Sequence, residues 1–165
     1  MSQMIIDFFQ GMHLSNELVV FIVSMIPIVE LRGAIPFGFV LNMNPWILYL
    51  LAVIGNLLPI PFILMLIRPI IRWFLKTKLL RPIGLWLEAK VEKNKGKIEK
   101  YEFWGLCLFV AIPLPGTGAW TGALVAAFLD MRLGRAFLSI AIGVLIAGLI
   151  MTFGSGIVAF IIGLF

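Results

Sequence analysis

Four apolar blocks divide the chain: Leu18–Leu41, Trp46–Ile67, Phe103–Leu129 and Ala136–Phe165. A helix rises about 1.5 Å per residue, so roughly 20 apolar residues cross a hydrocarbon core of about 30 Å. Trp46–Ile67 meets that length, and Asn56, Pro59 and Pro61 predict a kink in it. Ala136–Thr152 nearly meets it, and its helix is free to run on past Gly154-Ser155-Gly156. The pattern leaves open whether 157–165 continues that helix or turns back.

The other two blocks are interrupted. Pro27, Gly33 and Pro36 fall inside one, and Pro113, Pro115, Gly116 and Gly118 inside the other. Proline removes a helical hydrogen bond and glycine weakens the helix, so both blocks are expected to break there, with Gly33 and Pro36 at one hairpin tip and Pro113, Pro115, Gly116 and Gly118 at the other. Each half then holds about 8–13 residues, or roughly 12–20 Å of helix, too short to cross. Such a block is either a kinked span or a re-entrant hairpin that enters and leaves on one side.

Charge decides between the two. Ten of the thirteen Lys and Arg lie between Arg68 and Lys100, just before Phe103–Leu129. Asp130-Met131-Arg132-Leu133-Gly134-Arg135 follows that block. Basic loops prefer the cytoplasmic side, so both flanks belong there and the block is expected to be re-entrant. The first block is flanked by segments without Lys or Arg, which suits the outer side. One hairpin is therefore expected to dip from each face.

An internal repeat points the same way. Leu41-Asn42-Met43 leading to Ile54-Gly55 aligns without gaps on Leu129-Asp130-Met131 leading to Ile142-Gly143, at an offset of 88. Ile26-Pro27 and Ile112-Pro113 precede them, as do Gly33-Ala34 and Gly118-Ala119. Each half reads as a broken hairpin followed by a span, and the two spans run in opposite directions. The expected fold is all-α: a polytopic integral membrane protein with an inverted repeat of re-entrant helical hairpin plus transmembrane helix. Its single membrane domain, 1–165, divides into repeat 1 (17–67), a cytoplasmic amphipathic connector (68–102) and repeat 2 (103–165).

Composition agrees. The chain is 62% hydrophobic and 13% charged, with mean hydropathy +1.10. Soluble domains average about 45–50% apolar and about 25% charged. The pI of about 9.7 does not call for nucleic acid, because the positive-inside rule accounts for the basic cluster. In the connector, Ile83, Leu87, Val91, Ile98 and Tyr101 form one stripe and Lys90, Lys93, Lys97 and Lys100 lie off it. That is a surface helix snorkelling its lysines toward anionic lipid, or a docking point for a protein partner. Met1–Gly11 reads as a short interfacial helix or a frayed end.

The candidate chemistry sits in Pro27-Ile28-Val29-Glu30-Leu31-Arg32-Gly33-Ala34-Ile35-Pro36. A charge at the bilayer centre costs roughly 2.5–3.5 kcal/mol on insertion scales, so such residues are rarely idle. With the returning half-helices beginning near Ala34 and Ala119, their N-termini point into the protein. Thr117 is expected to cap the second, and with Arg32 these ends make an anion-attracting centre. Glu30 would end the entering half-helix, where negative charge is disfavoured, which suits a proton carrier. The structural alternative is a Glu30–Arg32 pair that only pins the tip. Asn56, Trp120 and Thr121 are candidates to line a path, although each has a packing role open to it. One His and one Cys, His13 and Cys107, build neither a metal site nor a catalytic triad. No phosphate-binding loop occurs either. No cofactor and no enzymatic activity are expected.

Glu30-Leu-Arg-Gly-Ala-Ile-Pro36 and Ala111-Ile-Pro-Leu-Pro-Gly-Thr-Gly-Ala-Trp-Thr-Gly122 closely resemble the two signatures of the prokaryotic small multidrug export family. That family resembles, more distantly, the DedA-like membrane proteins, which share paired re-entrant hairpins and include candidate carriers of undecaprenyl phosphate. DedA-like proteins tend to carry arginines around the second tip, whereas Phe109–Gly118 has none. The resemblance implies a multi-pass protein of the bacterial or archaeal plasma (inner) membrane that exports small molecules by secondary transport, coupled to protons. Its partners are then the lipid bilayer, a small-molecule or lipid substrate and protons, and a homo-oligomer is compatible with it. The competing readings are a translocase of a polyprenyl-phosphate lipid and a structural or assembly protein.

Overall fold

A computed structural model of the chain describes residues 15–76, 101–114 and 116–163. They form α1 (Asn16–Met25), α2 (Glu30–Val40), α3 (Pro45–Leu57), α4 (Ile60–Lys76), α5 (Tyr101–Ala111), α6 (Ala119–Phe128) and α7 (Leu133–Gly163). No strand occurs among the described residues. The Met1–Gly11 helix and the lysine-flanked stripe from Ile83 to Ile98 lie outside them.

Local chemistry sets the ends. Ser15 Oγ accepts the Leu18 N–H at 3.4 Å to open α1, and Asn44 Oδ1 accepts the Trp46 N–H at 3.0 Å to open α3. Pro45 fits the first helical position, where a missing N–H costs nothing. After α2 and α6 the chain turns through left-handed Asn42 (φ 54°) and Asp130 (φ 50°), 88 residues apart. The N–H groups of Met43 and Met131 close back on the carbonyls of Gly38 and Ala126 at 3.1 and 3.0 Å. Both are the hydrogen-bonded stop that a left-handed residue gives a helix.

Among the described residues, two segments are long and apolar enough to cross a membrane: Pro45–Ile67 and Leu133–Ile161, each with mean hydropathy 2.5. Within the first, α3 ends at Leu57 and α4 begins at Ile60, with Leu58 and Pro59 between them. The second runs without a break past Gly154-Ser155-Gly156 to Gly163, so the tail continues the helix. Trp46, Leu50 and Ile54 on α3 and Leu58 just after it form an exposed stripe at four-residue spacing. A stripe of that kind suits a lipid-facing surface.

The chain divides into two compact units. The first holds α1, α2, α3 and α7 from Ala147 onward. Here α2 packs against α1 and α3, and α1 packs against α3. Gly55 is the point of closest approach. A Cβ there would meet Ser24 Oγ and lie 2.6 Å from the Phe21 carbonyl oxygen. Val20, Leu31, Ile35 and Leu48 fill the core.

The second unit holds α4, α5, α6 and α7 up to Ile146. Here Gly143 is the close approach, with the Cys107 carbonyl oxygen 2.8 Å and Val110 Cβ 2.7 Å from where its Cβ would stand. Phe21 and Ser24 precede Cys107 and Val110 by 86 residues, and Gly55 precedes Gly143 by 88. A similar close backbone approach thus occurs in each unit, at offsets of 86 and 88 residues.

Two polar contacts fix the start of α5 beside the start of α7. Ser139 Oγ donates to the Phe103 carbonyl at 2.6 Å, and Arg135 pairs with Glu102 at 3.5 Å. Ser139→Ala should lower stability by about 1 kcal/mol, the net worth of one hydrogen bond. Arg135→Ala should cost less, about 0.2–1 kcal/mol, because half of that side chain is exposed and screened. Thermal unfolding of the two variants in detergent checks the order.

Candidate functional site

The tip of the first helix pair is Ile26–Val29. The residue before a proline avoids helical geometry, and Ile26, before Pro27, has ψ 129°. Its N–H still reaches the Val23 carbonyl, and its own carbonyl accepts from Glu30 N–H at 2.9 Å. The helix thus stops at Met25, and α2 begins at Glu30 rather than near Ala34 as expected from the sequence. Gly33 and Pro36 are corrected accordingly: both lie inside α2 and not at the tip. A Cβ on Gly33 would run into Val29 Cγ1, so glycine there serves packing. Pro36 offers no N–H to the Arg32 carbonyl one turn back.

This shift reverses the electrostatics expected for Glu30. It stands in the first turn of α2, not at the end of α1. A helix N-terminus favours negative charge. Glu30 is nonetheless only 6% exposed. Its backbone is left-handed, at φ 52°, a conformation that costs a residue other than glycine about 1–3 kcal/mol and clusters at functional sites. In the second tip, Gly116 (φ 83°), 86 residues later, takes the left-handed turn. The first unit puts a strained, buried carboxylate where the second puts a glycine. Arg32, half-buried two residues on, interacts with Glu30 through its charge.

Asn56 belongs to the same unit. It follows Gly55, and is therefore at the depth of the last turn of α1. It is fully buried, and neither its amide nitrogen nor its amide oxygen has a hydrogen-bond partner among the described residues. An unsatisfied buried amide costs about 1–3 kcal/mol, so a residue kept only for packing would rarely be asparagine.

The second tip, 112–118, carries Pro113, Gly116, Gly118 and Thr117; Pro115 lies outside the described residues. Thr117 N–H closes a turn on the Leu114 carbonyl at 3.2 Å. The hydroxyl of Thr117 does not cap α6, which corrects the expectation: Gly118 holds the cap position, with no side-chain bond. Thr117 Oγ1 instead lies 2.7 Å from the Ile112 carbonyl and 2.9 Å from the Leu114 carbonyl. It points backward because the turn at Gly116 brings those carbonyls to it. Thr117→Val should cost about 1 kcal/mol by loosening the tip. The same variant should leave α6 helicity unchanged in circular dichroism, which a lost cap would not. Thr121 Oγ1 donates to the Gly118 carbonyl at 3.3 Å, and Trp120 is half-buried beside it. Glu30, Arg32 and Asn56 thus share the first unit, while Thr117, Trp120 and Thr121 belong to the second.

Sequence reasoning missed Thr152. It is buried on α7, and its hydroxyl finds no hydrogen-bond partner among the described residues. A lone hydroxyl in an apolar run was the available signal.

Apolar helices with outward-facing hydrophobic stripes, and charge kept at a buried helix tip, define an α-helical membrane protein. The chain belongs to the family described as "Putative small multi-drug export protein", whose sequence model matches residues 30–150. That match begins at Glu30, just after the first tip, and runs through the second tip into α7. Comparison with the curated proteins and with the solved structures finds no match.

Proposed function

We propose that the protein is a proton-coupled secondary transporter that exports small molecules across the plasma membrane, with Glu30 as the proton-carrying residue and Arg32 as its partner. The observation that carries this reading is Glu30 itself. It is a carboxylate buried and left-handed at the tip of a helix pair too short to cross a bilayer. The family description supplies the transport class.

In this reading both helix pairs are re-entrant. Each of α1, α2, α5 and α6 is about 15–17 Å long at the helical rise. Gly55 comes ten residues after Pro45, and Gly143 ten after Leu133, which is about 15 Å into spans that cross a core of about 30 Å. The last turns of α1 and α5, packed on these glycines, would therefore sit near the midplane, with the tips just beyond them. The Glu102–Arg135 contact supports re-entry of the second pair, since it joins the start of α5 to the segment after α6. Charge placement puts the connector 68–102 in the cytoplasm and gives the two repeats opposite orientation.

Purified protein in liposomes under a pH gradient tests the assignment. Acid-driven export of lipophilic drugs, lost in Glu30→Gln, supports it. Flux of a polyprenyl phosphate without drug flux would move the protein to lipid translocation. No flux of either, with Glu30→Gln failing to accumulate, would make the tip a structural staple.

A further inference from the structure

Asn56 is held in the core of the first unit at a cost that packing does not explain. It is 0% exposed, and among the described residues its carboxamide has no partner for either Nδ2 or Oδ1. Neither atom touches space that a water molecule could occupy. The group that satisfies them must then be a neighbouring side chain, brought in by a rearrangement of the core.

Helix packing shows which side chain is at hand. α2 and α3 pack together within one unit and run antiparallel through the turn at Asn42. Leu48 occupies the space where a Cβ would stand on Gly38. From that contact a row at four-residue spacing leads along α3 to Ala52 and Asn56, and the matching row leads back along α2 to Ala34 and Glu30. Every member of both rows is buried. Eight residues make about 12 Å of helix on either side, so the register brings Asn56 to the depth of Glu30. α1 gives the same depth independently: Gly55 approaches Phe21 and Ser24 near the end of α1, and the tip that follows leads directly into Glu30. The other titratable groups described in this unit are Glu17, Arg32 and Tyr49. Glu17 is exposed at the far end of α1, and Tyr49 lies seven residues before Asn56, against Gly148 of α7.

Chemistry then selects the form of Glu30. The carboxamide needs one acceptor and one donor. A carboxylate supplies only acceptors and the Arg32 guanidinium only donors, so either leaves one amide atom bare. A carboxylic acid supplies both: its O–H donates to Oδ1 while its carbonyl accepts from Nδ2. Protonation also removes the charge interaction with Arg32 and gives Glu30 an O–H that must be bonded in the core. A glutamate side chain is long enough to cross between helices packed about 8–10 Å apart, so a change of rotamer closes the pair. We propose that Asn56 is the positioning residue of the proton-loaded state, receiving the protonated Glu30 side chain in a two-bond acid–amide pair. This rests on the reading of Glu30 as the proton carrier.

Infrared difference spectra of the full chain in liposomes, acid minus neutral, test it. The C=O stretch of protonated Glu30 is the band that Glu30→Gln lacks, and hydrogen bonding lowers its frequency. In Asn56→Leu that band should move to higher frequency, because both bonds are gone. Asn56→Leu should be at least as thermally stable as the parent, since leucine keeps the volume and removes two unpartnered groups. Isotopically labelled asparagine gives a second readout that needs no Asn56 variant: a side-chain amide band of the parent should move on acidification and stay fixed in Glu30→Gln. A Glu30 band at the same frequency in Asn56→Leu and the parent, or an amide band unmoved by acid, would overturn the pairing while leaving Glu30 a proton carrier. If no band is lost in Glu30→Gln, Glu30 takes up no proton, and the proton-coupled reading falls together with the pairing.

Discussion

Gly55→Ala and Gly143→Ala should each destabilise the protein by about 3 kcal/mol, the upper end of the cost of overpacking a tight site. At both positions the obstacle is backbone. An added Cβ would lie 2.6 Å from the Phe21 carbonyl oxygen at Gly55 and 2.8 Å from the Cys107 carbonyl oxygen at Gly143. A side chain can change rotamer to make room, but a carbonyl moves only with its helix. Each alanine would therefore push α1 off α3, or α5 off α7. Gly134 and Gly154 are the controls: both stand in α7, and a Cβ at either meets nothing within 4 Å. Alanine there should stabilise by about 0.5–1 kcal/mol through helix propensity. Thermal unfolding in one detergent compares all four. Equal behaviour of Gly55→Ala and Gly154→Ala would mean that the helix crossing is not as close as described.

Glu30→Gln should abolish proton-driven flux while leaving the fold nearly intact. Glutamine keeps the length and a hydrogen-bonding head, and it meets the same left-handed backbone, so strain does not change. What it removes is charge and titration. Stability should move by less than about 1 kcal/mol, because the loss of the Arg32 interaction is offset by the lower cost of burying a neutral group. Glu30→Gly isolates the other component. Relief of the left-handed strain should stabilise that variant by about 1 kcal/mol, yet its flux should also be absent. A glycine variant more stable and inactive is the pattern expected when strain is stored for function. Full activity in either variant would take Glu30 out of the mechanism.

Much of this architecture was legible from length alone. Segments of 10 or 11 residues such as α1 and α6 are too short for a bilayer whatever their composition, and the prolines announced them. The offset of 88 was legible too, and it falls on the two glycines where the helices touch. The placement of Glu30 was not. Proline acts on the residue before it, so Pro27 ended α1 at Met25, and the downstream pair Gly33 and Pro36 was absorbed into α2. Four residues of shift moved Glu30 from a helix end that opposes its charge to one that favours it. Thr117 misled for a similar reason: a threonine before a helix reads as a cap, but the carbonyls exposed by the Gly116 turn compete for its hydroxyl. The burial of Thr152 depends on which helix faces meet, which no local pattern encodes.

The central claim is that both helix pairs enter and leave the membrane on one side. Single cysteines at Glu17, Asn42, Tyr101 and Arg132, all exposed positions, measure it in intact cells once the buried Cys107 has been replaced by serine. A membrane-impermeant thiol reagent applied from outside should label Glu17→Cys and Asn42→Cys only. Tyr101→Cys and Arg132→Cys should react only after the membrane is opened. Labelling of Tyr101→Cys and Arg132→Cys from opposite sides would make the second pair a span and contradict the account.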